Sequence, residues 1–244
     1  MDIKEAIEST PEIDNLTDFQ YAQLAIIHQD DVGAAVEITE RLQETKKDYD
    51  LHDTFEDGRK RLKKMLDLSP GVNMSFTFSE QEGCFVIAYD YAKLDMTKLS
   101  RQENRVTSIG GVYYQWHALC PDFDSIRKGS IWIVECDGHS WVPSSKDLKY
   151  SEHFWNDLGS AYPIQVLTYK CFNTPALFHI FKSVSRPFIP KETYDKIEMG
   201  CRFPERLDTI FCTPTLEAAA ERFLTRMLAA LERRYENERS FSLE

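Results

Sequence analysis

The amino-acid sequence predicts an α/β fold in which a mixed β-sheet is flanked by helices and preceded by a small all-α unit. Segments with helical periodicity follow one another from Asp18 to Pro70. Beyond Pro70, short apolar runs alternate with helical segments, which is typical of strands joined by crossover helices. An early pair of runs separated by a short polar stretch adds antiparallel pairing. We therefore divide the chain into an N-terminal helical unit at 1–69 and an α/β domain at 70–244.

Three helices are predicted in the N-terminal unit, at 18–29, at 32–48 and from 53 or 54 to 69. Residues 1–15 are polar, and we expect them to be frayed. The third helix carries a basic cluster that either forms a solvated face, the interpretation we favour, or approaches anionic lipid headgroups. The cluster consists of Arg59, Lys60, Arg61, Lys63 and Lys64.

The sheet is predicted to begin directly after this unit. Residues 72–78 alternate between apolar and polar, and a second apolar run at 84–91 follows a short turn, so the two form a β-hairpin. A helix then runs from 100 or 101 to 119, and Gly110 with Gly111 is a point at which it could be distorted. Gly129 precedes a short, fully apolar strand that ends in an Asp137-Gly138 turn, and a further helix is predicted at about 151–161.

The stretch YPIQVLTYKCFNTPALFHIFKSVSRPFIPKETYDKIEMG at 162–200 combines a strand with an amphipathic helix. The strand is predicted at 164–172, and Asn173-Thr174-Pro175 supplies a helix start. Pro187 and Pro190 end the helix, and 191–199 is expected to form a second, short helix. The apolar face of the first helix consists of Leu177, Ile180, Phe181, Val184 and Phe188, with Phe178 at its edge. The opposite face carries His179, Lys182, Ser183 and Arg186.

The rest of the chain is predicted to contain a short strand within 202–212 and a last amphipathic helix at 214–236. The sequence does not indicate how that helix packs.

These elements resemble the CRAL-TRIO family of lipid-binding proteins, which includes tocopherol-, retinaldehyde- and phosphatidylinositol-binding members. The resemblance depends on Tyr162-Pro163, the strand that follows, Asn173-Thr174-Pro175, the Pro187-Phe188 pair and Lys196-Ile197. The segment SIWIVECDGHSW is similar to the central strand of the family, and LAIIHQDDVGAAVEITERL to its N-terminal helices. The resemblance covers about 16–212, and beyond that range the family's usual elements are absent.

The resemblance implies an internal lipid cavity with the strands as its floor and the amphipathic helix as a mobile gate. The residues expected to line the ligand are Ile131, Ile133, Val166, Leu167, Tyr169, Leu177, Phe178, Phe181, Val184 and Phe188. Family members that bind phosphatidylinositol have a glutamate after the Tyr-Pro pair and a lysine after the Pro-Phe pair. Lys196 matches the lysine, but Ile164 stands at the glutamate position, so no strong preference for inositol lipid is expected.

Composition restricts the partners and the compartment. The formal charge of −11 argues against a nucleic-acid partner, because such a surface requires clustered positive charge. The six cysteines (84, 120, 136, 171, 201 and 212) have no CxxC spacing and are expected to be free thiols in a reducing compartment. The sequence shows neither a signal peptide nor an apolar run of about 18 residues, so a cytoplasmic protein without a transmembrane segment is expected.

No enzyme motif of the P-loop, GxSxG, GxGxxG or HExxH type is present, and the prediction is a protein that is not an enzyme and uses no metal or cofactor. Asp137 with His139 could contribute to a metal or acid–base site, and His117 with Cys120 could form a Cys–His pair. A structural role is the favoured interpretation for both pairs. The leading hypothesis is a protein that binds one hydrophobic ligand, a phospholipid or another lipophilic small molecule, and transfers it during transient peripheral membrane contact. The alternative is a non-catalytic protein-interaction module that uses helix 175–189 and binds no lipid.

Overall fold

The computed structural model describes residues 2–11, 13–29, 31–68, 75–80, 82–90, 98, 102–136, 162–201 and 216–242. Within these residues, five strands form one mixed sheet in the order β1-β2-β3-β4-β5. The strands are β1 (Ser75–Ser79), β2 (Cys84–Asp90), β3 (Ser130–Glu135), β4 (Val166–Phe172) and β5 (Ile197–Cys201). The helices are α1 (Ile3–Glu8), α2 (Asp18–His28), α3 (Val32–Asp48), α4 (Phe55–Leu68), α5 (Gln102–Leu119), α6 (Phe123–Lys128), α7 (Ala176–Ser185), α8 (Lys191–Asp195) and α9 (Leu216–Ser240). The predicted fold class, a mixed sheet flanked by helices and preceded by N-terminal helices, is confirmed.

The sheet contains one antiparallel and three parallel pairings. β1 and β2 form the predicted hairpin, with Ser75 opposite Ala88 and Ser79 opposite Cys84. Gly83 allows the tight turn because its φ of 67° is a left-handed conformation that glycine adopts without a Cβ clash. The pairs β2–β3, β3–β4 and β4–β5 are parallel, and α5 and α7 lie in two of the crossovers that such pairs require.

The two faces of the sheet have different neighbours, because side chains alternate along each strand. One face contributes Ile87 and Trp132 to the main hydrophobic cluster, which also contains Leu62 of α4, Tyr114 of α5 and Leu231 of α9. The other face forms a separate cluster, and every described member of it is a strand residue. These members are Cys84, Val86, Ala88, Ile131, Ile133 and Phe172, with Cys201 partly buried against them. We call this the strand-only face.

Helices α4 and α5 pack so closely that the two glycines in α5 are required. A Cβ added to Gly111 would lie 2.4 Å from Sδ of Met65, and one added to Gly110 would lie 2.8 Å from Cδ of Arg61. The glycines therefore allow the close approach while α5 continues without a break from Gln102 to Leu119. The distortion weighed from the sequence does not occur.

The basic cluster of α4 is partly engaged in ion pairs. Arg61 Nε lies 2.8 Å from Asp57 Oδ2, and both side chains are largely buried. Arg59 pairs with Glu56 at 2.6 Å on the exposed side of the helix.

The prediction that residues 1–15 are frayed is wrong. Asp2 caps α1 by accepting a hydrogen bond from the amide of Glu5, and Ile3 and Ile7 are buried against α2 and α3. The apolar spacing within six residues was too short to be recognised as a helix, and tertiary burial stabilises it.

The prediction of one helix over 191–199 is wrong in its second half. The helix α8 ends at Asp195, and Ile197–Cys201 pairs with β4 as the edge strand β5. The expected Asp137-Gly138 turn, the helix at 151–161, the strand within 202–212 and the start of the last helix at 214 lie outside the described residues.

The last helix packs on the helix-covered face of the sheet. Phe223, Met227 and Leu231 are fully buried in the main cluster. Arg226 of the same helix donates a hydrogen bond of 3.2 Å to the backbone oxygen of Phe76 in β1.

Candidate functional site

The helix α7 follows directly from the end of β4 and lies beside β5. Asn173 has a φ of 46° and its side chain donates to Glu135 at the end of β3, which fixes the exit from β4. The helix α7 begins at Ala176, close to the predicted start at Pro175, but Pro175 is itself the N-cap residue and no side chain caps the helix. Lys182 donates a hydrogen bond of 2.7 Å to the backbone oxygen of Ile197, and this contact holds α7 against β5.

The orientation of α7 differs from the one expected from its apolar stripe. Phe178 is buried, whereas Ile180 is 60% exposed and Val184 is 50% exposed. Lys182, which was assigned to the polar face, lies 4.7 Å from the ring centroid of Tyr194 in α8. The helix therefore packs through its Phe178–Lys182 side and directs Ile180 and Val184 to solvent. The side chains of Leu177, Phe181 and Phe188 lie outside the described residues.

The strand residues predicted to line the ligand are divided between the two faces of the sheet. Ile131 and Ile133 belong to the strand-only face. Val166 and Tyr169 belong to the main cluster on the opposite face. Leu167 is 41% exposed, because the β3–β4 register shifts beside it and removes it from the regular alternation. The structure thus brings Ile131 and Ile133 together but does not place all the predicted strand residues on one surface.

Phe178 packs against two cysteines on the helix-covered side of the sheet. It forms a small cluster with Cys136, which follows β3, and Cys171 of β4. Val134 is the register partner of Cys171 and is part of the same group.

A buried polar network links α3 and the segment between α3 and α4 to helix α5 and to the segment before β4. The Tyr162 hydroxyl lies 2.9 Å from Nδ1 of His117, and the other ring nitrogen of His117 lies 3.7 Å from Oδ1 of Asp53. Tyr113 donates to the same carboxylate at 2.5 Å, and Lys46 Nζ pairs with it at 2.8 Å. Nδ1 of His117 also lies 3.2 Å from the backbone oxygen of Tyr113. We assign Nδ1 as the acceptor from Tyr162, because this tautomer directs Nε2–H towards the ionised Asp53 carboxylate. Sequence reasoning missed this network, because its members are far apart along the chain.

The network fixes the protonation of its members at neutral pH. Burial lowers the pKa of His117 to about 3, against the opposing effect of Asp53, so the imidazole is neutral. Burial would raise the pKa of Asp53, but the facing His117 ring, the Lys46 ammonium and the hydrogen bond from Tyr113 outweigh it and lower that pKa to about 2. A neutral imidazole therefore faces an ionised carboxylate.

His117 and Cys120 do not form a nucleophile–base pair. Both nitrogens of His117 face other partners, and burial raises the pKa of Cys120 to about 12, which keeps that thiol protonated. Arg234 of α9 instead donates to the backbone oxygen of Cys120 at 2.9 Å, and its guanidinium lies 4.4 Å from the ring centroid of Phe19. These contacts agree with the interpretation of His117 and Cys120 as packing residues.

An open cleft of about 890 Å³ lies beside this network, along α3 and the segment after it. Its lining is largely charged and includes Glu40, Glu44, Lys47, Asp50 and Asp53. This composition does not suit a hydrophobic ligand.

In the described part of the chain, no three histidine, cysteine or carboxylate side chains are grouped as ligands for a metal ion. None of the helices described there has the length and apolar character needed to cross a bilayer. Asp137 and His139 lie outside the described residues.

No family model matches the chain, and no curated protein matches its sequence. Among solved structures, the crystal structure of Sfh5 is similar at 15% sequence identity and a TM-score of 0.48. The match covers 72% of this chain and 62% of that one, so the present chain spans less than two thirds of Sfh5.

Proposed function

We propose that this protein binds one hydrophobic molecule, a phospholipid or another lipophilic small molecule, and transfers or presents it between membranes in the cytoplasm. The observation that carries the proposal is the orientation of α7, which exposes Ile180 and Val184 while it buries Phe178. A helix that only completes a core buries its aliphatic residues. A helix that contacts lipid exposes them in the free protein, because their burial takes place on the membrane or the ligand.

The strand-only face supports the proposal as a ligand surface. Its six buried members are apolar or thiol-bearing side chains of β2, β3 and β4, and the described helices of the main cluster pack on the opposite face. These side chains are at most 6% exposed in the protein alone, so the proposal requires the face to open before a ligand binds. Apolar surface placed against it would contribute about 25 cal/mol per Å². Ile131 and Ile133 are the two predicted lining residues that belong to this face.

The helix α7 packs on the helix-covered side of the sheet, and its link to the strand-only face is through the chain. Phe172 belongs to the strand-only face, and α7 begins shortly after it, at Ala176. Movement of α7 would therefore pull on the end of a strand that forms the proposed ligand surface. The contributions of Leu177, Phe181 and Phe188 to the ligand remain part of the proposal.

The alternative is a protein-interaction module in which helix 175–189 docks a partner through the same exposed side chains and no lipid is bound. The exposure of Ile180 and Val184 suits both functions.

Native mass spectrometry after gentle purification separates the two functions. We expect one small molecule per chain, which is released on denaturation and identified in the organic extract. Val184→Asp, at a half-exposed side chain of α7, should abolish this mass, and Glu198→Gln, an exposed change on β5, should retain it. A bare wild-type chain that neither carries lipid nor acquires it from phosphatidylcholine vesicles would contradict the proposal.

A further inference from the structure

The helix α7 and the short 3₁₀ helix Arg186–Phe188 that follows it carry cations but no carboxylate. The ion pairs of the described residues leave both Lys182 and Arg186 without a carboxylate partner. Asp195 of the neighbouring α8 pairs with Lys191 of its own helix, at 2.5 Å. Two positive charges of α7 are therefore available to an anion outside the protein.

Both cations lie over one aromatic ring of α8. The Lys182 ammonium is 4.7 Å and the guanidinium carbon of Arg186 is 5.6 Å from the ring centroid of Tyr194. Both distances are within the range of cation–π attraction, and one such contact at an exposed site changes an equilibrium constant by about 2–5-fold. In the free protein, Tyr194 thus holds the C-terminal end of α7 against α8.

The solvent side of α7 combines apolar surface with one of these cations. Ile180 and Val184 are exposed, and so is Arg186. Ile180 and Arg186 are about 120° apart around the helix axis, so one flat surface can contact both. Exposed aliphatic side chains with cations beside them are typical of helices that lie in the interface of an anionic bilayer.

The charge of the whole chain restricts where such a contact can form. The formal charge of −11 repels an anionic surface, so the contact needs a segment that is free of carboxylates. Charges farther away than about 8–10 Å are largely screened in physiological salt, so such a segment can bind by itself. The helix α4 fits less well, because Arg59 and Arg61 pair with carboxylates of that same helix.

We propose that α7 docks on an anionic bilayer through Ile180, Val184 and Arg186, and that Tyr194 holds the cations of α7 until lipid phosphates replace the ring. The inference rests on the membrane contact of the proposed function and names the class of surface and the residues involved. A guanidinium can donate two parallel hydrogen bonds to a phosphate, which an aromatic ring cannot accept. The C-terminal end of α7 is then released, while Phe178 keeps its packing at the other end.

Flotation with vesicles of two compositions tests the docking surface. One set is pure phosphatidylcholine, and the other contains about 30 mol% phosphatidylserine, which supplies the negative surface potential. We expect tighter binding to the second set, and Arg186→Gln should reduce this difference by about 5-fold. Lys64→Gln is the matched control, because it removes the same charge from an exposed position of α4 and should leave the difference unchanged.

Hydrogen exchange of the amides at 182–185 tests the role of Tyr194 in the protein without vesicles. Tyr194→Leu removes both ring contacts and should raise the exchange rate of these amides by about 4–25-fold. Tyr194→Phe keeps the ring and should exchange like the wild type. Circular dichroism of both variants shows whether each is folded.

Three results would overturn the proposal. Equal binding of the wild type to the two vesicle sets would exclude the anionic surface, and an equal loss with Lys64→Gln would assign the contact to α4. Exchange in Tyr194→Leu at the wild-type rate would exclude the role of the ring. A chain without bound lipid in native mass spectrometry would instead contradict the proposed function, because neither flotation nor hydrogen exchange depends on a bound lipid.

Discussion

The hydroxyl of Tyr162 lies 2.9 Å from Nδ1 of His117, although the two residues are separated by 45 positions. This hydrogen bond joins the segment before β4 to the crossover helix α5. His117 in turn faces Asp53, which pairs with Lys46 of α3, so one network links the N-terminal helices to the sheet. The helices and the sheet should therefore lose structure together on unfolding.

Replacing Tyr162 with phenylalanine tests the contribution of this link. The variant keeps the ring but leaves Nδ1 of the buried His117 without its donor, which should cost about 1–3 kcal/mol of unfolding free energy. Urea denaturation followed by tryptophan fluorescence measures the loss. A decrease smaller than about 0.5 kcal/mol would show that the network does not hold the two layers together.

His117 should make the protein less stable as the pH falls. Its pKa is about 3 in the folded protein and 6.5 in the absence of the fold, so the unfolded chain takes up the proton first. The contribution of His117 to the free energy of unfolding is fully present above pH 6.5 and is lost progressively towards pH 3. About 2 kcal/mol of this contribution is lost between pH 7 and pH 5. In His117→Gln this part of the slope should disappear. Urea denaturation at pH 7, 6 and 5 checks it, and equal slopes in variant and wild type would contradict the assignment.

Two glycine-to-alanine changes should have opposite effects. In Gly111→Ala the new methyl group meets Met65 at 2.4 Å, and overpacking of this kind should cost about 1–3 kcal/mol. In Gly33→Ala of α3 the nearest atom is 3.6 Å away, and the higher helix propensity of alanine should stabilise the protein by about 0.5–1 kcal/mol. Thermal denaturation of the pair measures both effects. Equal melting temperatures would show that α4 and α5 can separate without cost.

Two aspartate substitutions on α7 distinguish its buried and exposed sides. Phe178→Asp places a carboxylate in a cluster where the side chain is 7% exposed, and it should lower stability by several kcal/mol. Val184→Asp places it where half of the side chain is already in water, so melting should stay close to wild type while vesicle binding and lipid transfer are lost. Flotation with phosphatidylcholine vesicles measures binding. A Val184→Asp protein that still transfers lipid would remove α7 from the proposed mechanism.

The headgroup preference should be weak. Ile164 occupies the position at which inositol-binding members of the resembled family have a glutamate, and it packs partly buried against the clusters of Phe19 and Trp132. No carboxylate is available there to pair with Lys196. In a vesicle transfer assay, phosphatidylinositol should move no faster than phosphatidylcholine, and a strong preference for the inositol lipid would contradict this expectation.

Local patterns in the sequence were sufficient for most of the elements. The alternation at 72–78, the proline before α7, and the spacing of Phe223, Met227 and Leu231 in α9 predicted elements that the structure describes as β1 from Ser75, α7 from Ala176 and α9. These signals depend only on residues within a few turns of one another, because periodicity and capping are properties of the local backbone. The α/β class and four of the five described strands, β1 to β4, follow from them.

The sequence by itself thus determined most of the helices and strands, whereas the tertiary structure decided which of their faces meet and stabilised α1 and β5. Ile197–Cys201 forms a strand because it pairs with β4 at the edge of the sheet. Ile131 and Tyr169 lie on opposite faces of the sheet and therefore pack in different clusters. The outward orientation of Ile180 and Val184 follows from the packing of Phe178 and the contact from Lys182 to β5. Residues far apart in the chain supply these contacts. A periodic pattern predicts that a helix has an apolar face, but it does not predict which residues pack against that face.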